Sequence, residues 1–332
     1  MVLNLDRKIE NILVKGADNQ GISKEEAVDL LRIKLDTRAY YSLLYTANEL
    51  SRKSFNGVGE NHLHIGVNST PCKLNCEFCS LATMHDIFHD EYEFPWKQIL
   101  SWGKEAELKK SHGINLMTTG TYGFDKLLEI GKKLSKEIAI PLIANTRDLS
   151  HKDAEKLLEA GYIGMYHAVR LGEGIVTPFK VSKRINTIKV LNDVGLKWMN
   201  CIEPIGPEHE YEEVADLMLL ARNYGAVYSG AMRRINFPGS PFEKHGMITE
   251  QEMAKFVAVS RLVMGDVAKA HCTHEPNTFS LAAGANLFFP EVGSSPRDNE
   301  EDTSNCRGKS LDECRLMLTE MGWDPDLESN CV

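Results

Sequence analysis

Apolar positions in the first 60 residues recur at helical spacing. Leu5, Ile9, Ile12 and Leu13 fall three and four apart or adjacent, on one helical face. Ser23-Lys-Glu-Glu26 has the form of a capping box, with Glu26 at the third helical position, and opens a second helix. A third helix is predicted over about 37–53. From His62 onward the pattern changes, and short apolar runs alternate with amphipathic stretches. Strands are predicted near 63–68, 114–118, 141–145, 163–169, 196–203, 227–234, 266–270 and 285–289. Helices fall between them, among them 124–137, 150–160, 183–194, 211–224 and 249–264. Glu159-Ala-Gly-Tyr-Ile and Asp193-Val-Gly-Leu-Lys each end a helix at Gly before a strand, the left-handed cap expected at such a handover.

Eight βα units imply a parallel sheet, because parallel strands need crossover connections. The expected fold is α/β: a (β/α)8 TIM-type barrel with an N-terminal helical layer and a C-terminal cysteine-bearing tail. An open sheet is the alternative. The expected organisation is a helical extension over 1–60, the barrel over 61–292 and the tail over 293–332. In either architecture chemistry belongs at the C-terminal ends of the strands. The tail begins with a polar acidic loop, Arg297-Asp-Asn-Glu-Glu-Asp302, and a short helix is predicted over 310–321.

Composition narrows the classes. The chain has 332 residues, 42% hydrophobic and 26% charged, which excludes wholesale disorder. Its formal net charge of −9 argues against non-specific binding to a nucleic-acid backbone. No apolar run approaches the ~20 residues of a membrane helix. The N-terminus mixes acidic with apolar residues and has no small-residue cleavage site, so a signal peptide is not expected and a cytoplasmic location is.

The informative residues are eight cysteines, at 72, 76, 79, 201, 272, 306, 314 and 331. Asn68-Ser-Thr-Pro-Cys72-Lys-Leu-Asn-Cys76-Glu-Phe-Cys79 follows the first strand, with three thiols in eight residues. Closely spaced thiolates in a short loop suit an iron–sulfur core. A zinc knuckle would normally show a second pair, and none lies nearby. Zinc, a purely structural cluster and disulfides remain the alternatives. A three-ligand cluster leaves one iron free to bind a small molecule.

Cys-x3-Cys-x-aromatic-Cys, with Phe78 as the aromatic, resembles the signature of radical S-adenosylmethionine (SAM) enzymes. The resemblance implies a [4Fe-4S] cluster on Cys72, Cys76 and Cys79, whose open iron chelates SAM. It also implies reductive cleavage to a 5′-deoxyadenosyl radical that abstracts hydrogen, and a one-electron donor of ferredoxin or flavodoxin type. By the same resemblance Thr119 and Gly120, at the end of the second strand, would take the SAM amino group. His167, Arg170 and Glu173 after the fourth strand, and Arg184 on the following helix with Lys180 nearby, would surround its ribose and carboxylate. For Arg170, Glu173 and Arg184 an ordinary salt bridge is the competing reading, and for His167 a satisfied core histidine. Glu203-Pro-Ile-Gly206, Arg233, Arg234 and Asn236 are expected at the barrel mouth.

The helical leader, Pro238-Gly-Ser-Pro241 and Ala283-Gly-Ala-Asn-Leu-Phe288 are similar to biotin synthase and its relatives. Those include the [FeFe]-hydrogenase maturase, methylornithine synthase and two-protein lipoyl synthases. Biotin synthase holds a second cluster with cysteines from three strands and an arginine. Here Met117 and Ala144 stand near two of those places, while Cys201 and Cys272 remain near the others. The expectation is therefore an auxiliary iron–sulfur cluster held by Cys306, Cys314 and Cys331 of the tail, completed by Cys272 or Cys201. Free buried thiols or a tail disulfide are the alternatives. The expected activity is sulfur insertion into unactivated C–H bonds, lipoyl synthase-like, with that cluster as sulfur donor. Its partners would be an octanoylated carrier protein or peptide and a second radical SAM protein. The competing functions are a maturase-like or methylornithine synthase-like reaction on an amino acid, and a non-catalytic iron–sulfur carrier. Neither a nucleic acid nor a membrane is an expected partner.

Overall fold

Side-chain caps start the leading helices of the computed structural model, which describes residues 5–329 and 331–332. Asp6 accepts from the Lys8 and Ile9 amides at the head of α1 (Arg7–Ala17). Ser23 and Glu26 make both bonds of the expected capping box at α2 (Lys24–Leu31), and Thr37 accepts from the Tyr40 amide to begin α3 (Arg38–Ser54). Each cap contributes about 1 kcal/mol. Ile12, Leu30, Leu31, Tyr40 and Leu43 are buried together with Val257 and Leu262 of a later helix. The leader is therefore a layer packed on the barrel.

The chain then alternates: β1 (Glu60–Gly66), α4 (Trp96–Leu108), β2 (Gly113–Met117), α5 (Phe124–Leu134), β3 (Leu142–Asn145), α6 (His151–Glu159) and β4 (Tyr162–Tyr166). It continues with α7 (Val181–Val194), β5 (Lys197–Met199), β6 (Ile202–Ile205), α8 (Tyr211–Asn223), β7 (Tyr228–Arg233) and α9 (Glu250–Met264). The last elements are β8 (Ala270–Cys272), α10 (Thr278–Ala282), β9 (Leu287–Phe288), β10 (Glu291–Gly293) and α11 (Leu311–Glu320). All pairings between these strands are parallel. β1 pairs with β2 on one side and with β9 and β10 on the other, which closes the sheet. Because β5 and β6 both pair with β7, and β9 and β10 both pair with β1, ten segments form the eight staves of a (β/α)8 barrel. Gly161 (φ +90°) and Gly195 (φ +79°) adopt the left-handed conformation expected where their helices end.

Three strands differ from expectation. The predicted 196–203 strand is interrupted at Asn200 and Cys201, with Met199 opposite Tyr228 before the gap and Ile202 opposite Ala231 after it. The predicted 266–270 strand starts later, at Ala270, because Gly265 (φ +55°) ends α9 and Gly265–Val267 forms a 3-10 turn. The eighth stave is only Leu287–Phe288, and Glu291–Gly293 completes it.

Alternation along β1 sets the character of the interior. Leu63 and Ile65 join the outer helices, whereas His62 and His64 point inward against Phe289, with Tyr228 and His274 beside them. Barrel interiors are commonly filled by branched apolar side chains. This one is polar and aromatic. The tail seals its lower end, where Ser329 donates to Glu60 (2.7 Å) and Cys331 is buried beside Lys197.

β7 and β8 approach unusually closely. A Cβ on Gly230 would stand 1.7 Å from the carbonyl oxygen of Cys272, its register partner. Gly230→Ala is expected to lower stability by about 1–3 kcal/mol, the ordinary cost of overpacking, read as a lower urea midpoint. An unchanged midpoint would contradict this contact.

Candidate active site

The loop after β1 is organised by backbone bonds before any metal is considered. The Cys72 amide donates to Leu81 (2.7 Å), that of Cys79 to Cys76 (3.0 Å), and that of Thr83 back to Cys72 (3.1 Å). Asn75 turns the loop at φ +50°, a conformation asparagine tolerates, and its side chain accepts from Thr83 Oγ1 and the Met84 amide. Three thiols therefore share one wall of a cavity of about 180 Å³. Burial pushes the Cys76 thiol up to about 11 and the Cys79 thiol up to about 12, with Arg170 pulling the other way. Metal ligation needs the thiolates, so loading this loop releases protons.

The cavity opens at the C-terminal ends of the strands. Asn68 ties the first two staves, donating to Thr119 Oγ1 (2.9 Å) and accepting from the Thr119 amide (3.1 Å). Thr119 and Gly120 both line the cavity. A Cβ at Gly120 would come within 2.4 Å of Leu74, so glycine lets the cysteine loop lie on the end of β2. Phe78 faces inward with the Arg170 guanidinium 5.8 Å from its ring centre.

Opposite the loop is a belt of buried charge. Arg170 Nε lies 3.3 Å from Glu203, and Arg184 contacts Asp148 (3.2 Å) and Glu173 (3.4 Å) while covering the Phe179 ring. Glu173 stands behind the wall: it accepts from Thr177 Oγ1 and the Arg170 amide, and so holds both arginines without lining the cavity. His167 faces Asp148 at 3.3 Å. Burial lowers its imidazole to about 4 against the pull of Asp148, which leaves it neutral at pH 7. The salt-bridge reading thus holds for Arg170 and Arg184, and both also line the cavity.

Several expected mouth residues divide by strand alternation. Arg234 lines the cavity, paired with Glu208, while its neighbour Arg233 turns away and is held by Glu275 at 2.5 and 3.0 Å. Asn236 buttresses Arg234 (3.1 Å). Asp148 and Arg297 are site residues that motif reading did not single out. Arg297 sits in the segment read as a polar acidic loop, yet it lines the cavity and pairs with Glu291. The only advance signal for either was a charge just past a strand, Asp148 beside Arg147 and Arg297 at the head of the acidic loop.

The tail thiols are not brought together. Cys306 is exposed at the end of a 3-10 turn beside Asp298. Cys314 lies on the apolar face of α11 with Leu311 and Leu318 and is core. Cys331 closes the lower end of the barrel. Periodicity in α11 already commits Cys314 to packing, which is why the expected tail ligand set does not assemble. Among the described residues, the three-donor group within 4.8 Å is Cys201, Cys272 and His274.

Whether a [4Fe-4S] cluster and SAM suit these residues can be judged from the donors themselves. Three thiols converge from one loop, and Tyr166 Oη on the facing wall is buried without a hydrogen-bond partner. The residues fit both groups. Held by Cys72, Cys76 and Cys79, the cluster would supply the electron for SAM cleavage. The chain's own residues shape the apolar wall, present neutral His167 and fixed arginines to a polar ligand, and restrict water.

The Glu291–Arg297 pair also makes a pH-dependent contribution. Burial pushes the Glu291 carboxyl up, but Arg297 and His64 outweigh it and hold it at about 2, against an ordinary 4.5. A depressed carboxyl stabilises the fold above its unfolded pKa, and that stability is lost as pH falls from about 4.5 to about 2. Glu291→Gln is expected to remove this acid-dependent component and to cost about 3–5 kcal/mol at pH 7 by stranding Arg297. Denaturant titrations at pH 7, 4 and 2.5 check both, and an unchanged acid arm would refute the assignment.

No family model matches the chain. Its sequence is 29% identical to biotin synthase of Acetivibrio thermocellus over 267 residues, covering 77% of this chain and 81% of that one. It is 25% identical to biotin synthase of Brachyspira hyodysenteriae, covering 99% and 97%. Methylornithine synthase shares the fold with a TM-score of 0.79 at 15% identity, covering 95% of this chain and 97% of that one. The [FeFe]-hydrogenase maturase HydG from Carboxydothermus hydrogenoformans shares it at 0.80 and 16%, covering 98% and 80%. With the three-cysteine loop at the mouth of a closed parallel barrel, this kinship implies a [4Fe-4S] cluster and SAM. The chain is a radical SAM enzyme of the biotin synthase-like group.

Proposed function

We propose that the enzyme inserts sulfur at an unactivated C–H carbon, in the manner of a lipoyl synthase. The carrying observation is its similarity, over nearly the whole chain, to proteins named biotin synthase. The cavity is consistent with an acyl chain, since Leu74, Leu81, Met117, Met232 and Ile235 form its apolar surface beside the cysteine loop. In this reading a hydrogen atom passes from the substrate carbon to the 5′-deoxyadenosyl radical. The carbon radical then bonds to sulfide held by a second, ferric iron centre in the barrel, the iron–sulfur bond breaking and one electron passing to the iron. The substrate is an octanoyl group on a carrier protein or peptide. A second radical SAM protein and a ferredoxin- or flavodoxin-type donor act with it in the cytoplasm.

A second reading draws on a specific observation. Arg234 and Glu203 both line the cavity, and together they could hold the carboxylate and ammonium of an amino acid. That would suit a methylornithine synthase-like or maturase-like reaction.

Anaerobic turnover with reductant and SAM separates the two. With an octanoylated peptide, the sulfur-insertion reading expects 5′-deoxyadenosine together with a thiolated product. Deoxyadenosine without thiolation of octanoyl or dethiobiotin substrates, together with conversion of an amino acid, would replace it with the second reading. Alanine at Cys72, Cys76 or Cys79 is expected to reduce deoxyadenosine formation at least about 100-fold, since such a loss of electron supply is worth more than about 2.7 kcal/mol of barrier. Cleavage of SAM by the triple variant would refute the loop's role.

A further inference from the structure

Two cysteines that lie 71 residues apart in the chain meet inside the barrel. Cys201 occupies the unpaired step between β5 and β6, and Cys272 ends β8. His274 follows two residues later. Their donor atoms lie within 4.8 Å of one another, and the residues are 0%, 0% and 5% exposed. Neither thiol is in a disulfide; the Cys201 sulfur lies 3.9 Å from the Ile202 carbonyl and the Cys272 sulfur 3.7 Å from that of Asn200.

The imidazole supplies an independent indication. His274 Nδ1 faces Glu203 at 3.6 Å, whereas Nε2 is buried and has no hydrogen-bond partner. Its ring is held from three sides, by Phe289 (4.1 Å), Tyr166 (5.0 Å) and His64 (5.3 Å between centroids). An unsatisfied buried nitrogen is costly, and a metal ion is one of the things that accounts for it. Carboxylate behind one ring nitrogen and metal at the other is a recurrent arrangement.

From this geometry we infer that Cys201, Cys272 and His274 bind one thiophilic divalent metal ion, iron or zinc, with the fourth coordination position open. Two thiolates and one imidazole form a tetrahedral set that selects such ions, and three protein ligands leave room for an exogenous one. The close mutual spacing suits donors on a single metal atom. Binding releases one proton from each thiol, with no change of oxidation state. Glu203 links the site to the cavity, because the same carboxylate lines the cavity, meets Arg170 and faces His274. The open position can take a soft ligand such as hydrosulfide or a thiolate. The site stands on its three donors, independently of the function proposed above.

The test removes the first cluster, so that SAM chemistry plays no part. A full-length variant with Cys72, Cys76 and Cys79 all changed to alanine is loaded anaerobically with ferrous or zinc ion alone, without sulfide, and desalted over a weak chelator. About one ion per chain is expected to remain. It should be lost on adding Cys272→Ser or His274→Gln, and kept on adding Cys314→Ser or Cys331→Ser. Competition between the two metals identifies the preferred ion. Cobalt loading of the same background, with residues 201, 272 and 274 intact, reads the tetrahedral thiolate spectrum without relying on a substitution in the buried site. Absence of metal and of that spectrum would overturn the inference. So would a Cys201–Cys272 disulfide in the anaerobic protein, or iron retained at two or more per chain only when sulfide is supplied, which would make the group a cluster. None of these outcomes bears on thiolation by the intact enzyme, so the two proposals fail separately.

Discussion

Closure of the barrel at the seam between β1 and β10 is the constraint on which the site depends. Gly66 lies against Gly293 there, and a Cβ on Gly66 would stand 1.9 Å from the Ser294 carbonyl oxygen, so the two backbones meet with no side chain between them. Ser294 Oγ donates to the Asn68 carbonyl (2.6 Å), and the Ser80 amide donates to Pro296 (2.9 Å). One strand of the seam leads into the cysteine loop and the other into Arg297. The loop is therefore anchored to both ends of the chain's barrel.

Burying Glu291 and Arg297 at this seam carries a desolvation cost that a lone ion pair seldom recovers. Here His64 adds a second contact to the carboxylate (3.7 Å). The same device recurs around the cavity. Arg147 faces Asp153, Arg170 faces Glu203, Arg184 faces Asp148 and Arg234 faces Glu208. An acidic protein thus presents a cavity wall rich in guanidinium, with every positive charge already matched. Groups fixed by their partners do not reorganise when a charged ligand arrives, which is how preorganised polar sites gain their strength. A ligand carboxylate must share an arginine with a resident acid, and this favours ligands that bring a positive charge of their own, as SAM does.

How far the sequence revealed this follows from the range of each signal. The cysteine loop was legible because its donors lie within eight residues and its position after a strand decides where it points. Helices with capping boxes, such as α2, were legible for the same local reason. Short staves were less so. Ala270–Cys272 owes its strand geometry to neighbours across the barrel, and the eighth stave, expected over 285–289, keeps only Leu287–Phe288 of that range. Charged partners were the hardest. Asp148 and Arg297 sit in segments that read as ordinary loops, and only closure of the barrel gives these half-buried side chains their partners. Cys314 misled in the opposite direction, because counting thiols in the tail outweighed the three- and four-residue spacing of Leu311, Cys314 and Leu318.

The meeting of Cys201 with Cys272 shows what would have been needed to see further. In an eight-stranded barrel each inward layer is built from alternate staves. Cys201 belongs to the fifth stave, Cys272 to the seventh and His64 to the first, so they fall in the same alternating set. Stave parity, once the strand count is known, pairs residues that no spacing rule connects. Cys331, which lies on no stave, reaches the same inner cluster from below. The layer places a polar, unsatisfied imidazole beside two thiols where branched apolar side chains would otherwise fill the barrel. A buried polar group left without a partner is costly in such a layer, and a metal at the imidazole would offset that cost.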